Sequence, residues 1–235
     1  MSEQNTFFSA FFSSRSVVGI PSTHLVRLVL LLSGVAGFCV GMFGYPSWQV
    51  AVEPAQVMAG IVSYPKSNPF YNYLMDTWTI IHQINALLLY SGMSEQTLSL
   101  FLSGVVGLVT YQSIALFVFA LSDDLILSTA APFFIQHTMG NSIQGVVYPI
   151  MLMGYSHTYG MLGLAYVLLV TALISVGYYK IGSLLLALAP AIHPSIGVWF
   201  TLVVLICCLL DWRRLQQAFN DSKYFLSIGY SINCT

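Results

Sequence analysis

The apolar run over residues 25–43 constrains this chain more than any other feature, because it is 19 residues long and Arg27 is its only charge. A helix needs about 20 apolar residues to cross a hydrocarbon layer of about 30 Å. Further runs follow at 70–90, 98–121, 159–177, 181–192 and 196–210. The shortage of charge is general. Only 6% of the 235 residues are Asp, Glu, Lys or Arg, and 57% are hydrophobic, whereas a soluble globule carries about a quarter charged. A disordered chain and a nucleic-acid binder are excluded on the same ground, since the latter needs a basic surface to meet phosphate. The expected fold is all-α: a polytopic integral membrane protein of about six transmembrane helices.

Two stretches interrupt the pattern. Residues 44–72 hold Pro46, Pro54, Pro65 and Pro69 among Ser, Asn, Gln and Tyr, which no simple spanning helix tolerates. They form an extramembrane loop with a short interfacial helix over 54–62. Between Asp123 and Tyr155 two runs, 125–135 and 146–153, are separated by Gly140 and Asn141 and are too short to cross. These are expected as two short membrane-embedded or interfacial segments. The run at 181–192 stops at His193-Pro194, so a helix breaks within membrane depth, where its backbone must be buried in protein or line a wet cavity.

Lys and Arg gather on the cytoplasmic side of membrane proteins. With the N-terminus inside, Arg15, Arg27, Lys180, Arg213, Arg214 and Lys223 all lie in the cytoplasm, and Lys66 alone lies outside. The organisation is then a cytoplasmic segment 1–24, one transmembrane domain 25–212 and a cytoplasmic tail 213–235, in a membrane of the bacterial inner type. Ser94 and Glu95 suit the first turn of the helix at 98–121. The four cysteines lack metal or disulfide spacing and read as small hydrophobes.

The outer loop carries the residues with chemical potential. It reads Trp48-Gln49-Val50-Ala51-Val52-Glu53-Pro54-Ala55-Gln56, then Tyr64-Pro65-Lys66-Ser67-Asn68-Pro69-Phe70-Tyr71. One acid follows the first span, and a Pro-aromatic element opens the next run. In this the chain, over roughly residues 25–135, resembles the GT-C superfamily of membrane glycosyltransferases. Many members have two adjacent acids in this loop, and here Val52 precedes Glu53. The resemblance implies a polyprenyl-phosphate sugar donor, transfer at the outer face, and an essential loop acid.

Glu53 fits that acid, as the general base that takes the proton of an attacking hydroxyl; the bland reading is a solvated acid starting a helix. Lys66 is the outer cation available to a departing phosphate, or else an interfacial anchor. Asp76, near the outer end of the run at 70–90, is a costly intramembrane acid read as substrate-binding. Tyr64 and His157 are further substrate or phosphate candidates. His193, at the helix break, is a second catalytic candidate, against a plug that donates to the freed carbonyls. Asp123 and Asp124 either cap a helix or, as the alternative to Asp76, join Glu53 around a divalent cation. His82, Gln83 and Asn85 read as interhelical hydrogen bonding. The sequence specifies no cofactor beyond that optional divalent cation. The expected partners are the lipid bilayer and the lipid-linked sugar.

Two rival functions remain at this level. A transporter would use the helix breaks near Gly140 and His193. A non-catalytic subunit would pack against a membrane protein partner through the small-residue stretches 34–44 and 104–107.

Overall fold

The computed structural model describes residues 23–44, 52–76, 79–142 and 159–210. Among these the fold is all-helical, with no strand. Helix α1 spans Thr23–Cys39 and continues as a π turn, Val40–Gly44; α2 is Val52–Met58, α3 Pro69–Asp76 and α4 Ile80–Tyr90. Then come α5 (Glu95–Ser122), α6 (Leu125–Ser142), α7 (Tyr159–Ser175), α8 (Tyr179–Ile192) and α9 (Pro194–Leu210). Two of the helical stretches, Thr23–Gly44 and Glu95–Ser122, are long and apolar enough to cross a membrane, while α4, α8, α9 and parts of α6 and α7 are shorter apolar helices.

The pairing of α1 with α5 organises everything else. Val26 and Val29 pack on Ala115, Leu116 and Phe119; the Gln112 amide donates to the Leu30 carbonyl at 2.9 Å; Phe38 meets Phe101 edge-on. Residue numbers rise on one helix as they fall on the other, so the two are antiparallel. Their backbones touch. A Cβ on Gly37 would overlap the Gly107 carbonyl oxygen, and one on Gly41 would overlap that of Ser103. Close approach of this kind lets dispersion and weak backbone contacts replace side-chain interdigitation. The two small-residue stretches that sequence reading offered to an outside partner therefore close on each other.

The remaining long helices follow this axis. Phe133 of α6 meets Tyr111 of α5 edge-on with ring centroids 5.1 Å apart, so α6 returns antiparallel to α5. Helix α7 runs parallel to α5, since Leu169, Ala172, Leu173 and Val176 join the cluster of Ala115 and Phe119. The Tyr166 hydroxyl donates to the Leu185 carbonyl at 2.7 Å, and Gly197 of α9 lies against the Ala189 carbonyl, which makes α8 and α9 successive antiparallel returns. One end of the bundle thus gathers Thr23, Ser122 and Tyr178, whose hydroxyl donates to the Thr23 carbonyl. The other end gathers Gly44, α2, α3, α4 and the start of α5.

This topology departs from expectation in four places. The run at 70–90 is not one helix but two, α3 and α4, separated by Thr79, whose Oγ1 accepts the His82 N–H at 3.2 Å as an N-cap. Because α1 and α5 are antiparallel, the whole stretch between them begins and finishes at one end of the bundle. The interfacial helix expected at 54–62 is the shorter α2. The run at 125–135 extends to Ser142 and forms an 18-residue helix. The run at 146–153, like the terminal segments 1–22 and 211–235, lies outside the described residues.

Candidate functional site

Helix α2 is a short platform fixed by its own sequence. Glu53 occupies its first turn, where a carboxylate meets the positive end of the peptide dipoles, and Pro54 is tolerated there because first-turn amides have no intrahelical acceptor. Its C-terminus closes in a Schellman motif: Ile61 N–H donates to Gln56 C=O at 3.0 Å and Gly60 N–H to Val57 C=O at 3.1 Å. Gly60 supplies the left-handed residue that the motif needs, with φ +73°.

One face of α2 is glued down and the other is free. Val52 and Ala55 are buried against Leu89 of α4 and Leu98 of α5, while Glu53 between them is exposed. After α2 the chain makes a turn in which Asn68 N–H donates to Pro65 C=O at 2.8 Å, presenting exposed Lys66 beside half-buried Tyr64. Pro69 then starts α3 at the position where a missing N–H does no harm. Exposed Asp76 is the last residue of α3, the unfavourable end of a helix for a carboxylate.

An open groove of about 500 Å³ lies between these helices, lined by Met58, Met75, Gln83, Ala86, Leu87 and Tyr90. Its wall is mostly apolar, and the Gln83 amide approaches the Met58 sulfur at 3.7 Å. Sequence reading missed this groove. Only the turn of α3 onto α4, invisible in the pattern of apolar residues, brings Met58 and Met75 together.

His193 occupies the turn between α8 and α9, half-buried, at the same end of the bundle as the start of α7, where its ring lies on Gly163. Its Nδ1 accepts the Ile196 backbone N–H at 3.3 Å, with the Ser195 hydroxyl also at 3.3 Å. It is the N-cap of α9, followed by Pro194 at the first helical position. An Nδ1 that accepts a backbone N–H holds no proton, so the neutral ring carries it on Nε2. At this break the ring accepts an amide and so caps α9.

The structure brings Glu53, Tyr64, Lys66, Asp76 and His193 to one end of the bundle. It separates Asp123 and Asp124 from them. Asp123 is the left-handed C-cap of α5, with φ 56°, and the Asp124 carboxylate accepts the Leu127 N–H at 2.9 Å. From Leu98, which touches α2, to Asp123 is a helical rise of about 37 Å at 1.5 Å per residue. A cation shared between these acids and Glu53 is therefore ruled out by distance, and among the described residues no three His, Cys, Asp or Glu side chains cluster as metal ligands. His82 and Asn85 turn inward and are buried, whereas Gln83 points outward. His157 lies outside the described residues.

Comparison with known proteins adds no relative. No protein-family model, curated protein or solved structure matches the chain.

Proposed function

We propose that this chain is a multi-pass membrane protein and a GT-C-like glycosyltransferase working at the end of the bundle that carries α2. The membrane reading rests on an inverted surface. Helix α9 exposes Trp199, Leu202, Val203, Leu205, Ile206 and Leu209, while α5 buries Ser99, Ser103, Thr110 and Ser113. Lipid rewards that arrangement and water does not. Arg27 and Lys180 fall at the Thr23 end and Lys66 at the other, which supports cytoplasmic termini by the charge rule. In this reading helices α1 and α5 through α9 make the crossings, with α6 taking the place of the run at 70–90.

The observation that carries the transferase reading is the mounting of Glu53. A carboxylate on a short helix, held by buried neighbours and exposed, is positioned as a base with no neutralising cation beside it among the described residues. Lys66, Asp76 and His193 share its end of the molecule. In the reaction, an acceptor hydroxyl attacks the anomeric carbon, the bond from that carbon to the phosphate oxygen breaks, and polyprenyl phosphate leaves. Glu53 takes the hydroxyl proton, and Lys66 with the Nε2–H of His193 receives the developing charge on the phosphate.

The test is transfer from a panel of short-chain polyprenyl-phosphate hexoses by the purified full chain in lipid nanodiscs. Glu53→Gln is expected to lower the rate by about 10²–10⁴-fold, with the protein still monodisperse. Transfer by the Gln variant at the parental rate would sink the assignment. The subunit alternative loses one support, since Gly34, Gly37, Gly41, Gly104 and Gly107 are packed within the chain.

A further inference from the structure

Helix α4 is built inside-out. Its inward face is Thr79, His82 and Asn85, all buried to 2% exposure or less, and its outward face is Ile84, Leu87 and Tyr90, exposed to 50%, 67% and 82%, with exposed Gln83 as the one polar side chain beside them. A helix whose outer side met water would carry the opposite pattern. The stretch 69–90 offers water little else, with Asp76 its only acid and no Lys or Arg. It is rich in tyrosine, at Tyr71, Tyr73 and Tyr90, with Tyr64 just before, and tyrosine is the side chain that gathers where headgroups meet hydrocarbon.

The topology also fixes a depth. Both ends of this stretch stay at one end of the bundle, and α2 pins Leu89 to Leu98. The 28 residues of α5 span about 42 Å, roughly 12 Å more than a hydrocarbon core. Shared between two ends, the excess is about 6 Å, or four residues, which brings Leu98 to the boundary and α4 with it.

We propose that the helix pair Pro69–Asp76 and Ile80–Tyr90 does not cross the bilayer but lies in the outer leaflet, with Ile84, Leu87 and Tyr90 set among the lipid chains just beneath the headgroups. The groove of Met58, Met75 and Gln83 then opens sideways onto lipid. This inference rests on the membrane reading above and is independent of the role given to Glu53.

The experiment uses the full chain with its four cysteines replaced by Ala, in nanodiscs of phosphatidylcholine and phosphatidylglycerol. Single nitroxides are attached at Ile84→Cys, Leu87→Cys and Tyr90→Cys, with Leu202→Cys in the middle of α9 and Lys66→Cys in the outer turn as references. Collision with oxygen is compared with collision with a water-soluble nickel chelate. The expected result is oxygen-dominated collision at 84 and 87, at a depth of about 5–10 Å below the headgroups, shallower than at 202, with nickel dominating at 66. A label at 87 as deep as that at 202 would mean that α4 crosses. Nickel-dominated collision at 84, 87 and 90, with 202 still in lipid, would mean that α4 stands in water; either result overturns the inference while leaving the membrane reading intact. Nickel access at 202 as well would overturn both.

Discussion

Replacing Gly107 by Ala tests the α1–α5 seam directly. The new Cβ would overlap the carbonyl oxygen of Gly37 and approach the Cα of Gly41 at 2.9 Å and the Gly37 carbonyl carbon at 3.0 Å. All three are backbone atoms of a helix, so no side chain can swing aside and the helices must part by about an ångström. Overpacking of this sort costs about 1–3 kcal/mol. Parting also weakens the Gln112 bond to Leu30, worth about 0.5–1.5 kcal/mol. At roughly 2–4 °C per kcal/mol for a chain of this size, the midpoint of unfolding in mild detergent should fall by about 5–10 °C. Gly44→Ala is the control, because its Cβ would meet nothing closer than Val40 at 3.8 Å. Gly34→Ala falls between, since it meets only the movable end of Gln112. Thermal challenge followed by size-exclusion chromatography ranks the three. If Gly107→Ala melts no lower than Gly44→Ala, the seam is not close-packed and the antiparallel pairing drawn from it fails.

Other substitutions follow from the caps and turns. His193→Ala removes the Nδ1 acceptor of Ile196 and should cost about 1 kcal/mol, whereas His193→Asn keeps the cap; transfer lost in the Asn variant at unchanged melting temperature would show that the ring itself serves the reaction. Gly60→Ala meets no atom within 4 Å but must hold φ +73°, so its loss of about 1 kcal/mol should be recovered in part by Gly60→Asn, read as protease resistance of the loop after α2. Asp124→Ala should destabilise by about 1 kcal/mol through the lost α6 cap and leave the transfer rate unchanged, because it stands at the far end of α5. Asp123→Gly relieves a left-handed aspartate and should be neutral or slightly stabilising; a marked fall in transfer with either aspartate variant would contradict the separation of the two ends.

The extents of the long helices were legible because their signals are local. Ser94 caps α5 through the Thr97 N–H, as its place before Glu95 implies, and Asp124 caps α6. What the sequence hid was direction. An apolar run of 21 residues at 70–90 satisfies the length criterion for crossing, and hydropathy cannot register that Thr79 restarts the helix. The inward turn of His82 and Asn85 is likewise set by packing on α2 and α5, not by any period in the run itself. The glycines at 37, 41 and 107 were readable as close-contact points, but a motif states that a neighbour comes near without saying which. His193 was visible at a break flanked by prolines; its role as an acceptor depends on where the Ile196 amide points, a matter of backbone geometry.

The seam has a consequence in time. Gly37 and Gly107 are 70 positions apart, so at about 5–20 residues per second the ribosome needs roughly 4–14 s after making the first before it supplies the second. Throughout that interval α1 exposes the strip of backbone that α5 later covers. Completion of α5 is thus the moment at which the earliest helix acquires its mate, and whatever shelters the glycine strip until then acts on an orphan.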